Sequence, residues 1–157
     1  MATIRQEEVL AWIRTHLGVT GETVIVSNGR LGPDWTWLSH QVQYHFEAIA
    51  FSDRTANGTP KRGKNQADFW KAFSQAISRL NPASQWGVAH RVVIAVPWEF
   101  LAGWNSRVGQ IGPAVWVRIG HAFPELEVWF ASPTRLRQLS WNEAFEAPSA
   151  GDRDLVR

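Results

Sequence analysis

The run Arg91-Val92-Val93-Ile94-Ala95-Val96, closed by Pro97, decides the fold. Every residue after the arginine is apolar and most are β-branched, so the run reads as a strand, not a helical turn. It does not alternate between polar and apolar, so both of its faces need cover. That is the pattern of an interior strand in a sheet flanked by helices. Leu126 to Ala131 repeats the pattern. Between the two runs, Trp98 to Arg107 and Pro113 to Ala122 read as helices, the second with proline at a favoured first position. Strand, helical crossover and strand imply a parallel pair.

Working back toward the N-terminus, Asp68 is placed to cap a helix whose buried stripe is Phe69, Phe73, Ala76, Ile77 and Leu80. Lys71, Ser74, Gln75 and Ser78 share its opposite side, and Asn81-Pro82 ends it. Ser52 to Gln66 is polar and reads as a loop, with Lys61, Arg62 and Lys64 close together. Gln41 to Phe51 alternates as a strand: Val42, Tyr44, Phe46, Ala48 and Ala50 face one way, Gln43, His45, Glu47, Ile49 and Phe51 the other. Before it, Glu22 to Ser27 and the stretch from Leu31 to Leu38 read as an antiparallel pair joined at Asn28-Gly29. The first helix follows a Thr3/Gln6 capping box, carries Val9, Trp12, Ile13 and Leu17, and stops at Gly18. After Ser132 the apolar residues thin out, and a short helix followed by a loose tail is expected. These elements define an α/β domain over 1–131, with a central mixed sheet of about five strands flanked by helices, and a C-terminal extension over 132–157.

With 157 residues the chain suits one domain, and with no cysteine it has neither disulfides nor thiolate metal sites. Any metal must be held by Asp, Glu, His or carbonyl oxygen. The N-terminal residues lack a signal-peptide pattern and no apolar run approaches the roughly 20 residues of a membrane span, so a cytoplasmic location and no membrane partner are expected. The net charge of +2 is too small to announce a polyanionic partner by itself. Among the 10 tryptophans, Trp12, Trp70, Trp98 and Trp116 read as core. Trp35, Trp37, Trp104 and Trp141 are candidates for an exposed surface that dimerises or holds a partner. The motifs of P-loop, dinucleotide-binding, zinc-protease and α/β-hydrolase chemistry are absent.

The element order αβββαβ, a helical crossover and a last strand resembles the PD-(D/E)XK, or restriction-endonuclease-like, superfamily over roughly residues 4–131. Pro33-Asp34 at the start of the second strand and Glu47 on the third resemble that family's carboxylate pair. The resemblance implies a metal-dependent DNA phosphodiesterase: Asp34 and Glu47 would hold Mg²⁺ or Mn²⁺, which delivers a water to the phosphodiester. The family's lysine two residues after the glutamate is replaced here by Ile49. Lys71 on the following helix is the candidate replacement, with Gln75 one turn on facing the site and Lys64 a weaker choice. Glu7 or Glu8 of the first helix could join the metal, and His45 shares the face of Glu47. Lys61, Arg62 and Lys64 would dock the DNA backbone. The alternative is a catalytically inactive derivative of the same fold, acting as a DNA-binding or protein-interaction module.

Overall fold

The computed structural model describes residues 3–19, 35–52, 62–80 and 89–146. The expected strand at Glu22 to Ser27 and the Asn28-Gly29 turn lie outside them. In chain order the elements are β1 (Thr3–Ile4), α1 (Gln6–Leu17), β2 (Trp35–Ser39), β3 (Val42–Ala48), β4 (Phe51–Ser52), α2 (Arg62–Arg79), β5 (Ala89–Pro97), a 3₁₀ turn, α3 (Leu101–Ile111), α4 (Pro113–Ala122), β6 (Leu126–Ala131), β7 (Leu136–Ser140) and a final 3₁₀ turn (Glu143–Glu146). The protein is α/β, with a mixed five-stranded sheet in the order β2-β3-β5-β6-β7. The inner pairs β3–β5 and β5–β6 are parallel and the outer pairs antiparallel. The apolar runs that decide the fold are thus the two adjacent central strands, and α3 and α4 make the crossover between them.

Several local expectations are corrected. Thr3 does not cap α1. It pairs with Ser52 in a short β1–β4 ladder, and the Glu8 carboxylate accepts the Arg5 N–H at 2.7 Å instead. The predicted strand from Gln41 to Phe51 divides, because β3 ends at Ala48 and Phe51–Ser52 turns aside to β1. β2 and β3 meet in a two-residue turn at His40 and Gln41, both with positive φ (48° and 66°), the backbone of a mirror-image hairpin turn built without glycine. α2 begins at Arg62, so the expected loop through Gln66 is partly helix and Asp68 sits inside it, not at its cap. The segment after Ser132, expected to be a short helix at most, supplies β7 antiparallel to β6 and places Leu139, Trp141 and Ala144 in the core.

The sheet separates two apolar layers. Val9, Leu10 and Ile13 of α1 cover Trp35, Phe46, Ala48, Val93, Ala95 and Trp129. On the other side α2, α3 and α4 cover Ile49, Val92, Ile94, Leu126, Val128 and Phe130. Trp116 and Trp141 stack at 3.8 Å, and each indole N–H donates to the other's carbonyl, at 2.7 and 2.9 Å. Burying an indole N–H without a partner is costly, and this reciprocal pair satisfies both within the core. The tryptophan assignments are therefore partly reversed: Trp35, Trp104 and Trp141 are fully buried, while Trp70 is 41 % exposed. Trp37 is half-buried.

Candidate functional site

Glu47 is the penultimate residue of β3, opposite Ile94, and so points toward the layer of α2. It is 1 % exposed. Arg79, the last residue of α2, donates from Nε to its Oε1 at 2.9 Å, with the guanidinium side chain 19 % exposed. A carboxylate this deep is tolerated when a hydrogen-bonded cation offsets its lost hydration, and Arg79 supplies one. Two positions on, Ile49 is buried in the same apolar layer, so the usual lysine position of the family is core here.

Lys71 and Gln75 line a neighbouring cavity that Glu47 itself does not line. With Gln6, Asp68 and the chain from Ala48 to Ala50 they line a small cavity of about 20 Å³ at the C-terminal end of β3. Lys71 is exposed and Gln75 half-buried. Gln6 closes the floor by donating from Nε2 to the Ala48 carbonyl at 2.9 Å. A larger cavity of about 270 Å³ adjoins it, lined by the first turn of α1, including Glu7, and by Ser52 and Asp68. Lys71 and Arg79 are two turns apart on α2, about 12 Å along its axis. The helix therefore presents a lysine and a glutamine to one end of β3 and commits its last residue to Glu47. Asp34 and Lys61 lie outside the described residues, and Arg62 and Lys64 begin α2 instead of lying in a loop.

A divalent cation fits poorly at Glu47 as this side chain is held: the carboxylate faces the helix layer, is closed to water, and already accepts a guanidinium that would have to leave. Among the described residues no three His, Asp or Glu side chains converge as a metal cage. Asp68 sits at the wall shared by the two cavities, where the sequence had offered only a cap.

A second polar group was not anticipated. His45 Nε2 lies 3.1 Å from His90 Nδ1, and Thr36 Oγ1 lies 3.4 Å from His45 Nδ1. Burial holds the His45 pKa below the ordinary histidine value, and the charges of His90 and Arg79 push it the same way. His45 was legible as sharing the face of Glu47, whereas His90 precedes the apolar run read as a strand and gave no signal. Only the register of three strands brings them together.

Over the described residues the chain is an α/β protein with a five-stranded mixed sheet and four helices. No family model matches it, and no curated protein or solved structure matches it either. No helix among the described residues is long and apolar enough to cross a membrane.

Proposed function

We propose that this chain is a restriction-endonuclease-like domain that binds DNA without cutting it, with phosphate contacts along the N-terminal half of α2. The observation that carries this reading is the Glu47–Arg79 pair: the carboxylate that would hold the catalytic metal is 1 % exposed and accepts Arg79 at 2.9 Å. The order of helices and strands supports the scaffold. Exposed Lys71 and the sequence-adjacent Lys61, Arg62 and Lys64 supply the positive charge for a sequence-independent backbone contact. Dimerisation through tryptophans is the weaker alternative, since Trp35, Trp104 and Trp141 are inside the protein.

The test measures duplex binding across a salt series and cleavage of linear and supercoiled DNA with Mg²⁺ or Mn²⁺. Binding without cleavage is expected, and the combined Lys61→Ala, Lys64→Ala and Lys71→Ala variant should flatten the logarithmic salt slope by about 0.9 for each phosphate it no longer neutralises. Failure to bind DNA at low salt overturns the proposal.

One observation favours a second reading, a Mg²⁺- or Mn²⁺-dependent phosphodiesterase. Lys71 and Gln75 line one cavity at the end of the strand that carries Glu47. In that reading Asp34 and Glu47 bind the metal and Lys71 stands in for the missing strand lysine. Cleavage that Lys71→Ala and Glu47→Gln both abolish would establish it and remove the first.

A further inference from the structure

Trp70 of α2 is the one exposed tryptophan among the described residues, with 41 % of its surface in solvent. Trp104, Trp116, Trp129 and Trp141 are buried, and each donates its indole N–H within the protein. Trp37 stacks on Trp35 and Tyr44, and the Arg135 guanidinium lies 5.0 Å over the Trp98 ring. Trp70 has no such cover. Its ring meets Phe69 and Phe73 at 88° and 90°, with centroids 5.2 and 6.0 Å away. These two perpendicular neighbours on its own helix hold the indole in place without stacking on it. Among the described residues no parallel ring and no cation lies over it, and nothing accepts from its N–H.

The surface beside the ring is polar and carries positive charge. With 3.6 residues per turn, Ser74, Ser78 and Lys71 follow Trp70 around α2 at about 40°, 80° and 100°. All three are exposed, and this arc holds no carboxylate. Asp68, about 160° from Trp70, is half-buried and lines the two cavities instead. A flat apolar ring kept in water is unfavourable, and a ligand that covers it recovers that loss. The nucleotide of a single strand suits both features: its base has an open π-face for the indole, and its phosphate carries the charge that Lys71 attracts. An internal base of a duplex does not, because both of its faces are already stacked. Unstacking it costs about as much as one new stack returns, so the gain is kept only on strand that is already unpaired.

We propose that α2 holds single-stranded DNA, with an unpaired base stacked on Trp70 and the adjoining phosphate held by Lys71 and Ser74. This rests on the DNA-binding reading above and narrows it to the form of DNA. Stacking contributes affinity that is tolerant of base identity, and Lys71 contributes the part that salt screens.

The test uses the full chain, with fluorescence anisotropy of a labelled oligothymidylate and of a labelled duplex of equal length. Trp70→Leu should weaken binding to the single strand by about fivefold or more and to the duplex by under about twofold, and Trp70→Phe should restore most of the loss. Lys71→Ala should weaken both and lower the single-strand logarithmic salt slope by about 0.7, whereas Trp70→Leu should leave that slope unchanged. Oligothymidylate should also quench indole emission in the wild type and much less in Trp70→Phe. Single-strand affinity unchanged in Trp70→Leu, or weakened equally on both forms, overturns the proposal and leaves the DNA-binding reading standing. Absence of binding to either form at low salt removes both. Should Trp70→Leu fail to fold, the comparison of wild type with Trp70→Phe decides, and equal quenching in the two overturns the proposal.

Discussion

The two faces of the central sheet each take one glutamate out of water, and they treat it differently. On the α2 side, Glu47 is 1 % exposed and accepts Arg79 at 2.9 Å. On the α1 side, Glu127 of β6 keeps 21 % of its side chain exposed, and Arg91 stands 3.9 Å away with nearly half of its own side chain in solvent. Burial pushes the Glu127 pKa up, against weaker lowering by the Trp129 indole and by Arg91. Depth alone therefore does not decide how closely a carboxylate is paired here. A close guanidinium offsets the lost hydration of the deeper group, while the shallower group has a looser partner and a pKa raised by burial. The same comparison bears on function: the carboxylate that sequence spacing nominates for a metal is the one most firmly committed to a neighbour.

Arg79→Met is the sharpest way to break the contrast. It strips the guanidinium from a buried carboxylate and should cost about 3 kcal/mol in urea unfolding, most of it recovered when Glu47→Leu is added. If the single variant is nearly neutral, Glu47 does not depend on Arg79. A purely steric change on the α2 side gives a scale for that number. Gly120 packs so closely on the C-terminal turn that an added Cβ would collide with Asn142 Oδ1 and come within 2.9 Å of the Trp141 ring. Gly120→Ala should therefore cost about 2 kcal/mol by thermal unfolding, and Asn142→Ala should relieve part of it.

A smaller effect is expected where α1 ends. Gly18 has φ +67° and nothing within 4 Å of an added Cβ, so Gly18→Ala should cost about 1 kcal/mol through backbone strain alone. Smallest of all is Glu127→Gln. Because the folded pKa of Glu127 is raised, its contribution is fully present below the unfolded pKa and is lost as pH rises through the folded value. The variant should accordingly gain on wild type by under about 1 kcal/mol at neutral pH and lose that advantage in acid, read from urea midpoints at both pH values. A gain that persists in acid would mean that charge is not the cause.

Legibility differed in the same way between regions. β6 and α4 lie within the boundaries read from their apolar runs and proline, since a strand covered on both sides and a helix opened by proline each carry their signal locally. β7 was missed because Leu136-Arg137-Gln138-Leu139-Ser140 has little apolar alternation, and an edge strand owes its structure to the neighbour it pairs with. The burial of Trp141 depends likewise on Trp116, 25 residues away. At the candidate site, Lys71 and Gln75 were legible as one polar helix side, and they do line one cavity. Arg79 as the partner of Glu47, and His90 as the partner of His45, were not.

By itself the sequence determined the α/β class, the parallel central strands and the faces of β3, because side-chain period and hydrophobicity are properties of neighbours along the chain. Only the tertiary structure decided which polar groups meet. Contacts such as Glu47 with Arg79 and His45 with His90 join residues 32 and 45 positions apart. Their geometry comes from strand register and helix docking, which no local pattern encodes.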